Sequence, residues 1–181
     1  MKTSFYFLFT VLLFCGACTS DSTSAETNIK KKGDEDPLVQ RYLKDMIANP
    51  TTQDEKDRNL IVNFLIDSLW DCKKTASGIY YQIEDYGTGE HPNLNSNMKC
   101  HYRGTLLNGQ EFDSSYKRNS PLEFTLKQMI AAWQEAIPML KKGGKGTFLV
   151  PSRLAYGNRP MGPIIKPNSV LIFEVEVIDF E

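Results

Sequence analysis

Along the chain the spacing of apolar residues changes character twice. An apolar run from Phe5 to Phe14, broken only by Thr10, comes first. Apolar positions then recur at helical spacing, as Leu38, Val39, Tyr42, Leu43, Met46 and Ile47, and again as Leu60, Ile61, Phe64, Leu65, Leu69 and Trp70. Asp36-Pro37 opens the first of these helices with an N-cap acceptor and a ring suited to the first turn, and Asn49-Pro50 stops it. Thr52-Gln53-Asp54-Glu55 reads as a capping box for the second, which runs towards Cys72. Such stripes need cover. Three partners are open to them: the C-terminal domain, each other, or a second chain, the last giving a homodimer through residues 37–74.

From Thr75 the period becomes two. Ile79, Tyr81 and Ile83 alternate with Tyr80, Gln82 and Glu84, and Met98, Cys100 and Tyr102 with Lys99, His101 and Arg103. Leu171, Phe173, Val175 and Val177 face a core, with Glu174 and Glu176 outward. Leu107-Asn108-Gly109-Gln110 signals a tight hairpin, and Lys141-Lys142-Gly143-Gly144-Lys145 an exposed turn before a strand. One short helix, carrying Leu126, Met129, Ile130, Trp133 and Ile137, interrupts the strands and ends before Pro138. Strands around a single helix, without βαβ alternation, predict an α+β fold with an antiparallel sheet.

Composition sharpens this picture mainly at the N-terminus. A length of 181 residues predicts one domain with an appendage, and a net charge of −1 argues against nucleic acid as a partner. The run at residues 5–14 spans only about 15 Å as a helix, half a bilayer core, which suits a secretory leader. Cys15-Gly16-Ala17-Cys18 follows it, and small residues immediately before a cysteine resemble the bacterial lipobox. That resemblance implies a signal peptide over 1–17, acylation of Cys18, and a protein lipid-anchored in the cell envelope, facing periplasm or exterior. Residues 18–36, rich in Ser, Thr, Lys, Asp and Glu, then form a flexible linker. A helical segment at 37–74 and a domain at 75–181 complete the organisation.

Ordinary catalytic chemistry finds no home here. Neither His91 nor His101 has metal-ligand spacing, so no metal and no cofactor are expected. Asp113, Ser114, Ser115 and His101 lack the glycine-rich elbow of a serine nucleophile, and Lys141–Lys145 lacks the spacing of a P-loop. An oxidising compartment permits a Cys72–Cys100 disulfide, but Cys100 is better read as a small core residue.

What stands out is a set of aromatic and apolar segments in fixed order. These are His101-Tyr102-Arg103-Gly104, Gly109-Gln110-Glu111-Phe112-Asp113-Ser114-Ser115, Met129-Ile130-Ala131-Ala132-Trp133, Leu149-Val150-Pro151-Ser152-Arg153-Leu154-Ala155-Tyr156-Gly157, Gly162-Pro163-Ile164-Ile165 and Val170-Leu171-Ile172-Phe173-Glu174-Val175. Over residues 75–181 the chain resembles the FKBP family of peptidyl-prolyl isomerases. The resemblance implies an antiparallel sheet wrapped around one short helix. It implies a pocket with Trp133 as floor and Tyr102, Phe112 and Phe173 as walls, completed by Asp113 and Tyr156. Leu122, Met129, Ile130 and Ile165 would bind substrate. Ile165 would offer its N–H and Tyr156 its hydroxyl to a substrate carbonyl, while Asp113 would face the twisting amide or hold a neighbour in place. Leu122 and Met129 depart from the family's common Phe and Val, yet remain apolar.

The implied activity is cis–trans isomerisation of X–Pro bonds during folding of exported proteins. The partners are then proline-containing polypeptides and, through the lipid anchor, a membrane. A second reading keeps the same pocket in a membrane-anchored chaperone or peptide-binding module with little turnover.

Overall fold

The structure, a computed structural model, describes residues 36–181; the leader, Cys18 and most of the linker lie outside the described residues. Two helices come first, α1 (Pro37–Leu43) and α2 (Gln53–Ser68). Strands β1 (Lys73–Lys74), β2 (Tyr80–Asp85), β3 (Asn97–Leu106), β4 (Glu111–Ser114) and β5 (Leu122–Thr125) follow, then α3 (Ala131–Ala136), β6 (Lys145–Val150) and β7 (Leu171–Phe180). All neighbouring strands are antiparallel, in the order β1-β2-β6-β7-β3-β4, with β5 beside β4 on the same edge of β3.

Both sheet faces are covered. On one, Met98, Cys100, Tyr102, Phe148, Leu171, Phe173, Val175 and Val177 pack around α3, following the alternation read from the sequence. On the other, Tyr80, Leu149 and Ile172 meet Tyr42, Ile61, Val62 and Leu65 of α1 and α2. The helical stripes therefore cover the chain's own sheet and each other. Tyr80, which alternates with Ile79 and Tyr81, lies on the helix-covered face and is fully buried there.

Both helices end earlier than their stripes suggest. α1 stops at Leu43 because the next residues find partners elsewhere. Asp45 accepts from Lys74 Nζ at 2.8 Å and from the Tyr80 hydroxyl at 2.9 Å, and Asn59 bonds both the N–H and the carbonyl of Ile47. Met46 and Ile47 thus lie outside the helix. α2 opens on the capping box at Thr52 and Glu55, as expected, and closes at Leu69 in a left-handed conformation, φ +51°. Trp70 and Cys72 lie beyond it, tied to α1 by the Tyr42 hydroxyl. That hydroxyl donates to the Trp70 carbonyl at 2.7 Å and accepts from Cys72 N–H at 2.7 Å. Leu60 and Leu69 point outward and Val62 inward, a rotation of the predicted stripe.

Cys72 packs against the helices and Cys100 on the α3 side of the sheet, both as free thiols. They lie on opposite faces of the sheet, so no disulfide joins them, and burial, pushing each thiol up to about 12, leaves both as inert hydrophobes.

Candidate active site

The segment expected to form one helix around Trp133 is divided in three. A single 3₁₀ turn covers Leu126–Gln128, Met129 and Ile130 are extended, and α3 starts at Ala131. Gln134 Nε2 holds the extended piece by donating to the Met129 carbonyl at 2.7 Å. Pro138 falls within a second 3₁₀ turn, Ile137–Met139. The break lets Met129 and Ile130 reach the pocket that Trp133 floors, which a continuous helix could not do.

Phe112 and Asp113 pose the opposite problem, since adjacent residues of a regular strand face opposite ways. The β3–β4 ladder pairs Gly104 with Asp113 and Thr105 with Glu111, so Phe112 is the extra residue of a bulge. With the alternation broken there, both Phe112 and Asp113 line the pocket. The Phe112 ring occupies the space where Gly104 lacks a side chain; a Cβ there would fall 2.5 Å from Phe112 Cε2.

A cup of about 60 Å³ results, lined by Tyr102, Phe112, Asp113, Leu122, Met129, Ile130, Trp133, Tyr156 and Phe173. Nine of the ten expected residues are therefore together. Ile165 is the exception: it is 95% buried in the same core cluster as Tyr102, Trp133 and Phe173 but not on the lining, and it pairs with Met161, whose N–H donates to its carbonyl at 3.0 Å. Trp133 is the hub. Its ring meets Tyr102 edge-on at 5.1 Å between centroids and Phe173 at 5.5 Å, and Phe173 meets Phe112 at 5.7 Å. Phe124, not foreseen, props Trp133 from 5.3 Å; it shares a strand face with Leu122, two residues away, and could have been found from that spacing.

A larger groove, about 560 Å³, opens between β3, β5 and the end of β7. Lys99, Glu123, Asp179 and Glu181 line it, with no converging ring cluster. Shape and chemistry favour the smaller cup.

Donors and charges sit at the cup's rim. The Tyr102 hydroxyl and Arg118 both donate to the Asp113 carboxylate, and Arg118 Nη2 donates to the Tyr102 hydroxyl at 3.1 Å. Burial pushes the Asp113 carboxyl up, but the bonds from Tyr102 and Arg118 outweigh it and hold the group below its ordinary value. Burial, reinforced by Asp113, pushes the Tyr102 hydroxyl up to about 12. Asp113 thus holds its neighbours in place. Sequence reasoning missed Arg118, because a cation five residues along an irregular loop produces no periodic signal.

The half-buried Tyr156 hydroxyl, the buried Trp133 Nε1 and the N–H groups of Ile130 and Ile165 have no hydrogen-bond acceptor among the described residues. The backbone donor expected at Ile165 is matched on the cup lining by Ile130. Ser115, by contrast, is fully buried with its hydroxyl on the Tyr102 backbone and His101, while Asp113 turns the other way; no nucleophilic triad forms.

Comparison with known proteins fits this geometry. Residues 88–178 match the family described as FKBP-type peptidyl-prolyl cis-trans isomerase. A "Probable FKBP-type peptidyl-prolyl cis-trans isomerase" of Haemophilus influenzae is 47% identical over 109 residues, 60% of this chain and 45% of that protein. FkpA of Buchnera aphidicola subsp. Schizaphis graminum, an FKBP-type peptidyl-prolyl cis-trans isomerase, is 35% identical over 162 residues, 85% of this chain and 64% of its own. The chain thus spans about half to two thirds of the length of these curated relatives. The crystal structure of Escherichia coli FkpA superposes with a TM-score of 0.64 at 33% identity, covering 88% of this chain and 69% of that one. With the matched region enclosing every residue of the aromatic cup, the chain belongs to the FKBP-type peptidyl-prolyl cis-trans isomerase family.

Proposed function

We propose that the protein is a peptidyl-prolyl cis-trans isomerase acting on proline-containing polypeptides. The observation that carries the reading is an aromatic cup whose rim presents unsatisfied hydrogen-bond donors, with no general acid or base. Isomerisation of an X–Pro bond needs neither. Its barrier, about 18–20 kcal/mol, is the loss of amide resonance. The planar amide is charge-separated and the twisted one is less so, so an apolar enclosure disfavours the ground state relative to the twisted state. Trp133 would seat the prolyl ring, with Tyr102, Phe112 and Phe173 excluding water around it. The Tyr156 hydroxyl and the Ile130 N–H would hold the carbonyl as it turns, and each 1.36 kcal/mol of differential binding is a factor of ten in rate. Asp113, bonded to Tyr102 and Arg118, fixes the wall and takes no part in proton transfer.

The test is cis–trans exchange in X–Pro peptides with the full-length protein, over a series of residues before proline. Acceleration supports the isomerase; binding of the peptide without acceleration assigns the cup to a peptide-binding module instead.

The short apolar leader and the small residues before Cys18 support a place in the cell envelope, the chain being lipid-anchored through Cys18 and facing periplasm or exterior. Residues 19–36 then serve as the tether, and exported, unfolded polypeptides are the substrates. Palmitate labelling in a bacterial host is expected for the natural chain and absent from Cys18→Ser. A Cys18→Ser protein that still labels would refute the anchor.

A further inference from the structure

Asp57 is fully buried on α2, and among the described residues no cation lies within ion-pair distance of it. An isolated buried carboxylate is strongly disfavoured, so its presence demands donors. It has two. Oδ1 accepts from Gln53 Nε2 at 2.7 Å and Oδ2 from the Ser152 N–H at 2.8 Å, ninety-five residues away in sequence.

Ser152 opens the 3₁₀ turn Ser152–Leu154, whose N-cap is Pro151 and therefore has no side-chain acceptor of its own. Asp57 supplies from α2 the cap that Pro151 cannot. The Ser152 carbonyl in turn accepts from Ala155 N–H at 3.0 Å and Gly157 N–H at 2.8 Å, and the Gly157 carbonyl accepts from Asn168 N–H at 2.7 Å. Tyr156, which lines the cup and carries its free hydroxyl, sits between Ala155 and Gly157. The turn has a second tie to α2, Arg153 Nε to Asp54 Oδ2 at 2.5 Å, but both side chains are nearly half exposed and solvent screens the pair. The buried bond is the fixed point.

We propose that Asp57 is a positioning residue for the cup, capping from another element the turn that aims Tyr156. The helical segment then sets the geometry of the cup as well as covering the sheet. The catalytic consequence rests on the isomerase reading; the structural consequence does not.

The experiment uses full-length protein and two readouts, amide hydrogen exchange and X–Pro exchange. In Asp57→Ala, the amides of Ala155 and Gly157 are expected to exchange faster by about tenfold or more, while those of Leu149 and Phe173 in the sheet keep their protection. kcat/KM is expected to fall about tenfold, and by less than about twofold when Tyr156→Phe is already present, because the two changes share one route. Asp57→Asn keeps a carbonyl oxygen for Ser152 and is expected to restore both readouts to within about twofold. If Asp57→Ala does not fold, Asp57→Ser, too short to reach Ser152, takes its place. Equal losses in the Asn and Ala variants, losses that multiply with Tyr156→Phe, or unchanged protection at 155 and 157 each overturn the proposal. A wild-type protein that accelerates no X–Pro exchange removes the isomerase reading alone, and the amide protection still decides the role of Asp57.

Discussion

Trp133→Ala is expected to lower kcat/KM for X–Pro exchange by about a hundredfold or more, the largest single effect in the molecule. The indole is the floor of the cup and the seat of its walls, meeting Tyr102 and Phe173 edge-on and resting against Phe124. Its removal opens a void that three neighbouring rings then face, so the substrate ring loses its base and the walls lose their angle together. The side chain is 97% buried, and its loss is also expected to destabilise the fold by about 3–5 kcal/mol. The two effects separate if the rate is taken per folded molecule, with the folded fraction read from a denaturant titration. A variant that is folded and keeps its rate within about threefold would place the catalytic surface elsewhere.

Where side-chain period alone sets position, the sequence was readable. Met98, Cys100 and Tyr102, and likewise Leu171 to Val177 at alternate positions, face the core they were expected to face. The α2 cap was equally legible, because Thr52 and Glu55 act on backbone groups within one turn. Local pattern failed where distant partners decide. Met46 and Ile47 leave the helical stripe because Asp45 bonds Lys74 and Tyr80 and Ile47 bonds Asn59, and Tyr80 is buried only because α1 and α2 come back across the sheet. The site itself splits along the same line. Trp133, Tyr102 and Phe173 lie on regular elements, but Met129 and Ile130 reach the cup through a break, and Phe112 joins Asp113 through a bulge. Family resemblance placed those four; periodicity alone could not have done so. Arg118, which both anchors Asp113 and lies over the Tyr102 ring, was visible to neither.

Charge is distributed to leave the cup apolar. From Thr75 onward, eleven cationic residues balance eleven acidic ones. Arg103 pairs with Glu174, Lys99 with Glu123 and Lys145 with Glu176, all away from the rings. The pair at the rim, Arg118 with Asp113, presents a dipole and not a net charge to an entering peptide. On the isomerase reading, selection at such a site falls on apolar shape and on a carbonyl that can turn, which an X–Pro segment would supply.

Gly104→Ala is expected to be nearly as harmful as the loss of a wall, although it adds only a methyl group. Gly104 lies on β3 between Asp113 of β4 and Phe173 of β7, and its missing side chain is what lets the Phe112 ring lie down against the strand. A new Cβ would sit 2.5 Å from Phe112 Cε2, and neighbours essentially never approach below 3.0 Å. Either the ring swings off, breaking its contact with Phe173, or the bulge at Phe112 shifts and takes Asp113 from Tyr102. Both outcomes deform the cup, and kcat/KM is expected to fall about tenfold or more, with a loss of about 1–3 kcal/mol in stability. Gly109 supplies the control. It turns the β3–β4 hairpin at φ +81° with nothing near its absent Cβ, so Gly109→Ala strains the backbone by about 1 kcal/mol without touching a ring. Matched losses of stability with a rate loss confined to Gly104→Ala assign the defect to the wall of the cup. An unaltered rate in Gly104→Ala would mean that Phe112 is free to move without consequence, and that it is no wall at all.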